Sequence, residues 1–132
     1  VEIEATGLER AAPFELTLET GAGEATAVSV DPGRGRLAID RSRSGRVAFH
    51  PAFAGRHEAP LRVVDGRCRL RLLLDASSLE VFAQDGETTA TSILFPTGGT
   101  RALSLTARGA AAPAVGSITI HELAGLRPRA GR

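Results

Sequence analysis

LRLLLDASSLEVFAQDGETTATSILFP, residues 70–96, is the stretch on which the fold is decided. Leu70, Leu72 and Leu74 alternate with Arg71 and Leu73, and Leu79, Val81 and Ala83 alternate with Glu80 and Phe82. In an extended strand successive side chains point to opposite faces, so each run presents one apolar face to a core. Asp75-Ala76-Ser77-Ser78 reads as a turn between the runs. Asp85-Gly86 is a hairpin signal, because both residues tolerate the positive φ that a tight turn demands. A third run follows, with Ile93 and Phe95 as its alternating apolar pair.

The same period continues in both directions from this centre. Phe14, Leu16 and Leu18 alternate with Glu15, Thr17 and Glu19, and further pairs are Val28/Val30, Leu37/Ile39, Leu103/Leu105 and Ile118/Ile120. Turn signals separate them: Asp31-Pro32-Gly33, Ser44-Gly45, Asp65-Gly66 and Pro96-Thr97-Gly98-Gly99. No window of helical length carries a 3.6-residue period. About ten to twelve short strands spaced by such turns specify an all-β, two-sheet antiparallel β-sandwich, with a barrel as the alternative architecture. Residues 41–60 break the rhythm and read as a long loop. Residues 1–126 are expected to form one domain, with a flexible tail at 127–132.

The 132 residues suit a single domain with a core of its own. All sixteen basic residues are Arg, a pattern expected from codon bias in a GC-rich bacterial genome rather than from a nucleic-acid surface. A nucleic-acid binder would cluster its charge and add stacking aromatics, whereas here arginines alternate with fifteen acids and the net charge is +1. No apolar run approaches the length of a membrane span. The single cysteine, Cys68, supports neither an internal disulfide nor a metal cluster. The chain opens at Val1 directly into strand-like sequence, as a domain cut from a longer protein would.

Three stretches together carry a family resemblance: LAIDRSRSG (37–45) followed by Phe49 and Phe53, the central stretch 70–96, and ITIHEL (118–123). In order and spacing they resemble the C-terminal β-sandwich of glycoside hydrolase family 32, the invertases, levanases, inulinases and fructosyltransferases. Ala76 stands where family members often carry Arg, and no Trp follows the closing stretch. The resemblance implies that catalysis belongs to an N-terminal five-bladed propeller, upstream of this domain. That propeller's motifs are Asn-Asp-Pro, Glu-Cys and Arg-Asp-Pro. This chain has no Asn, its Cys68 follows Arg67, and Asp31-Pro32 follows Val30, so none of the three carries over. The relatives include secreted and cytoplasmic enzymes, which leaves the compartment open, as it leaves hydrolysis against fructosyl transfer.

Each remaining candidate has an expected structural role. Asp75 and Glu80 are the best carboxylate pair for glycoside chemistry. Asp75 also suits a side-chain-capped turn, and Glu80 a cross-strand pair with Arg69 or Arg71. Asp40, Arg41 and Ser42 read as a loop anchor, with Arg41 or Arg43 gripping a carboxylate such as Asp75 or Glu80. His50, His57 and His121 lack metal-ligand spacing, and Ser77 and Ser78 lack a nucleophile motif. No cofactor is expected. Leu73 and Phe82 put apolar weight on the second face of their strands, so either the loop bearing Phe49 and Phe53 folds over Phe82 or another domain covers it. These four residues are the candidate domain interface. The leading expectation is a non-catalytic module that packs on the propeller and self-associates when excised. The rival is an autonomous fructan-binding module, disfavoured because the chain has no Trp or Tyr to stack on sugar.

Overall fold

A computed structural model describes residues 2–6, 13–99, 102–107 and 114–122. Among them are ten strands: β1 (Glu2–Thr6), β2 (Phe14–Glu19), β3 (Ala25–Asp31), β4 (Arg36–Arg43), β5 (Arg56–Pro60), β6 (Arg67–Leu74), β7 (Ser78–Ala83), β8 (Thr88–Ile93), β9 (Ala102–Ala107) and β10 (Ala114–Thr119). They form two five-stranded sheets, in the orders β10-β1-β6-β7-β8 and β5-β4-β3-β2-β9, and every pairing is antiparallel. The all-β sandwich read from the alternation is the fold. The proposed tail at 127–132 lies outside the described residues.

The inner faces of the two sheets make one core. Phe14, Leu16, Val28, Val30, Leu37 and Ile39 come from the second sheet, and Cys68, Leu70, Leu72, Leu79, Val81 and Leu94 from the first. All are buried, and a fully buried side chain of this size contributes about 1.5–3 kcal/mol relative to exposure. Cys68 sits in this dry layer, and burial pushes its thiol pKa up to about 11. A thiol so protonated is a small hydrophobe, not a nucleophile.

Turn chemistry sets the registers. Asp65 and Gly66 both take positive φ, 50° and 67°, and Val64 and Arg67 exchange backbone hydrogen bonds of 2.9 and 3.3 Å across them. This is the two-residue turn that matches strand twist. Between β7 and β8 the chain turns at Gln84, Asp85 and Gly86, all at positive φ, pairing Ala83 with Thr88 and Val81 with Ala90.

Three sequence expectations are corrected. Residues 41–60 are not all loop: β4 runs to Arg43, and β5 begins at Arg56, leaving 44–55 as the connection. β5 is an edge strand whose Arg56, His57, Glu58 and Pro60 are exposed, so it carries no apolar alternation. Ile93 and Phe95 do not face the core, because Val81 opposite Ala90 puts Ala90, Ser92 and Leu94 inward instead. Ile93 is 55% exposed and Phe95 41%. Finally, the closing strand ends at Thr119, so Ile120 and His121 follow it, both exposed.

Candidate functional site

The residues singled out in 37–45 gather at one end of the sandwich. Ala27 pairs with Asp40 but Ala25 pairs with Arg43, so Arg41 and Ser42 together oppose Thr26 in a β-bulge. The Asp40 carboxylate holds the bulge: its Oδ1 accepts from the Ser42 amide at 2.9 Å and the Ser42 hydroxyl at 2.6 Å. Partial burial pushes the Asp40 pKa up. The two Ser42 hydrogen bonds, with the charges of Arg56 and Arg43, outweigh it and leave the carboxyl below its ordinary value.

The bulge aims Arg41 out of the strand and across the gap between the sheets. Its Nε donates to the Phe53 carbonyl at 2.7 Å, and an Nη to the Ile93 carbonyl of β8 at 3.4 Å. Its guanidinium carbon lies 4.0 Å from the Phe53 ring centroid, a cation–π stack. Arg41 therefore joins β4, the 44–55 loop and the first sheet. Its partners are backbone carbonyls and a ring, not the carboxylate of Asp75 or Glu80 that the composition suggested. The bidentate pair is elsewhere, Arg62 on Glu87 at 2.8 and 3.2 Å.

The loop that Arg41 holds carries the aromatic cluster. Phe49, Phe53 and Phe95 meet with ring centroids 4.7, 5.4 and 5.5 Å apart, and Phe49 remains 62% exposed. Phe95 is the member that sequence reasoning left out. Its outward direction was legible, because a turn centred on Asp85-Gly86 already pairs Val81 with Ala90 and so turns Ile93 and Phe95 outward. Gly45 lets the loop close: at φ 126° its Cα lies so near the Phe95 backbone that any Cβ would collide with the Phe95 carbonyl oxygen and come within 2.7 Å of Pro96 Cα. The loop does not cover Phe82 as one expectation had it. Phe82 is half-buried in a cleft of about 160 Å³ with Arg69, Arg71, Asp85 and Gly86, smaller than the roughly 300–1,000 Å³ of ligand pockets.

Asp75 and Glu80 are not assembled into a catalytic pair. Asp75 Oδ1 accepts from the Ala76 amide at 2.7 Å, and the Asp75 amide donates to the Ser78 carbonyl, closing the β6–β7 turn. That tight turn pairs Leu73 with Glu80 and Arg71 with Phe82, so Glu80 stands beside Leu73 and Thr91. The carboxylate beside Arg69 is Asp85, at 3.3 Å. His50 Nδ1 accepts from the Ala52 amide, and His57 and His121 are exposed on separate elements. Among the described residues no group of three or more His, Cys, Asp or Glu is placed to hold a metal ion. Sequence reasoning also missed Glu24, whose carboxylate accepts from the Thr97 hydroxyl and amide and from the Thr20 hydroxyl. These bonds, the Thr97 hydroxyl first, hold its pKa below the ordinary value.

Two antiparallel sheets around an apolar core, tied at one end by Arg41 beside exposed rings, define an all-β sandwich domain. The family model "Glycosyl hydrolases family 32 C terminal" matches residues 1–122, and the chain belongs to that family. It is 40% identical over 114 residues to a levanase of Bacillus subtilis, covering 86% of this chain and 17% of the levanase. It is 34% identical over 122 residues to a levanase of a Bacillus species, covering 92% and 13%. The crystal structure of exo-inulinase from Aspergillus awamori superimposes with a TM-score of 0.74 at 32% identity, over 82% of this chain and 22% of that one. The chain thus spans less than a fifth of the length of these levanases.

Two predictions follow from the bulge and loop. Gly45→Ala is expected to lower stability by about 2 kcal/mol or more, through positive φ and collision with Phe95. Gly55→Ala, with no atom near its Cβ position, is expected to stay within about 0.5 kcal/mol; urea midpoints check both. Asp40 has a depressed folded pKa, so its contribution is present above the unfolded value and is lost as pH falls through the folded one. Asp40→Asn should therefore cost about 1 kcal/mol near neutrality, with the deficit fading in acid. A deficit that persists unchanged in acid would contradict the carboxylate's role.

Proposed function

We propose that this chain is the non-catalytic C-terminal module of a β-fructofuranosidase-type enzyme acting on sucrose, levan or inulin. It packs against an N-terminal five-bladed catalytic propeller and stabilises it. The observation that carries this reading is the match to a family described as a C-terminal region, over a chain less than a fifth as long as the levanases it resembles. The residues support it. Asp75 is engaged in a turn and Glu80 lies between Leu73 and Thr91, so neither is paired as acid and nucleophile across a cleft. The Asp40–Arg41–Ser42 group is engaged with its own backbone and loop.

The competing reading, a module that holds fructan by itself, would rest on the exposed Phe49 and Phe95. Neither ring has the polar edge with which Tyr or Trp orients a sugar. The purified chain is expected to release no fructose from sucrose, inulin or levan, and titration calorimetry to give no dissociation constant tighter than about 1 mM, or −4 kcal/mol. Turnover abolished by Asp75→Asn or Glu80→Gln would overturn the non-catalytic assignment. Sub-millimolar fructan binding lost in Phe49→Ala would favour the competing one.

A further inference from the structure

The large exposed hydrophobic side chains are unevenly distributed. Leu73, Ile93 and Ile118 lie on strands of the first sheet, Phe95 and Ile120 just beyond its strand ends, and Val64 in the connection from β5 to β6. Phe49 is on the Arg41-tied loop, and among the described residues none lies on a strand of the second sheet. On the outer face of the first sheet, Leu73 is opposite Glu80, which separates it from Thr91, and Ile93 is opposite Ser78, nearer the turn end. Phe95 continues from Ile93 into its rings with Phe49 and Phe53. Phe82 lies apart from these residues, opposite Arg71 and Thr89. Scattered apolar residues are ordinary on a surface; Ile93 and Phe95 running on into three rings in mutual contact mark a contact surface.

The register of β1 shows what reaches it. Glu2 pairs with Arg71 and Thr6 with Arg67, so β1 runs antiparallel to β6. β1 therefore enters the sheet at the end where β6 finishes, with Glu2 lying toward Leu73 and Leu74. That is the end of the sandwich where Ile93 and Phe95 lie, since Leu74 pairs with Leu79 and Leu79 with Ser92. It is also the end where Arg41 fastens the loop to the carbonyl of Ile93.

We propose that the surface formed by Ile93, Phe95, Phe49 and Phe53 seats the domain immediately N-terminal to this one. The assignment rests on reading the chain as a C-terminal module, and adds which end of the sandwich the partner occupies and why. The partner is delivered to this end by β1 itself. Arg41 then acts as a positioning residue that presents the rings at the point of entry, its bulge and carbonyl contacts fixing the loop before the partner docks.

Hydroxyl-radical footprinting of the 132-residue chain and of the full-length polypeptide that contains it tests the assignment. Labelling of Phe49, Phe95 and Ile93 is expected to fall several-fold in the full-length protein, while labelling on β5 and on the outer face of β2 stays the same. If those three residues label equally in both and protection appears on β2 or β5, the seat is overturned and the module reading stands. If no residue of the sandwich is protected, packing on a preceding domain fails, and the seat with it. If the isolated chain protects Phe49 increasingly with concentration, and the full-length protein protects it no further, a second copy occupies the surface and the assignment is overturned.

Discussion

The contact on which everything else depends is the one between the inner faces of the two sheets. Leu70, Leu72, Leu79 and Val81 of the first sheet share one core with Leu16, Val28, Leu37 and Ile39 of the second. The turns, the bulge and the exposed rings exist in fixed places only because that layer sets the strand registers. A one-residue slip in β7 would expose Leu79 and Val81 and bury Glu80. The core holds a cysteine, and Cys68 is as buried as its leucine neighbours. Leu73 and Ile93, on the outer face of the first sheet, lie outside that core.

At one end, where β4 of the second sheet comes beside β8 of the first, the gap between the sheets is bridged by polar chemistry. The Asp40–Ser42 bonds make the bulge, the bulge redirects Arg41, and Arg41 takes the carbonyls of Phe53 and Ile93. Two more backbone bonds, from Arg41 to the Gly55 carbonyl and from Arg46 to the Phe95 carbonyl, complete the closure at 2.9 Å each. Phe49 and Phe95 stand exposed, while Phe53 is half-buried under the Arg41 guanidinium. That arrangement gives the proposed function a geometric basis, a rigid apolar end on an otherwise self-sufficient domain.

The core was legible in the sequence because period two is written directly in β2, β3, β6 and β7, and Asp65-Gly66 announced its turn. β5 was not legible: an edge strand with exposed Arg56, His57 and Glu58 has no apolar face to reveal it. The partners of Arg41 were hidden for a different reason. Backbone carbonyls are present at every residue, so only the bulge, which arises from register, selects those of Phe53 and Ile93. Glu80 was paired with the wrong neighbour because the tight turn at 75–78 puts Leu73, not an arginine, opposite it. The knot of Glu24 with Thr97 joins residues 73 apart in the chain, and no local pattern points to it. Asp40, Ser42 and Gly45 were legible as a group through the family resemblance, although their division of labour needed coordinates.

The two sheets are expected to close their apolar core without help from another domain. Cys68 reports on it directly, since a thiol in that layer is both shielded and held protonated, with its pKa near 11. The decisive measurement is urea titration of the 132-residue chain, followed in parallel by far-ultraviolet circular dichroism and by the rate of Cys68 reaction with an aromatic disulfide reagent. The account predicts a Cys68 that is inert without denaturant and becomes reactive in a single transition coincident with the loss of sheet signal. A thiol that reacts freely in the absence of urea, while the sheet signal is intact, would show that the core is open and that this domain depends on a partner to close it.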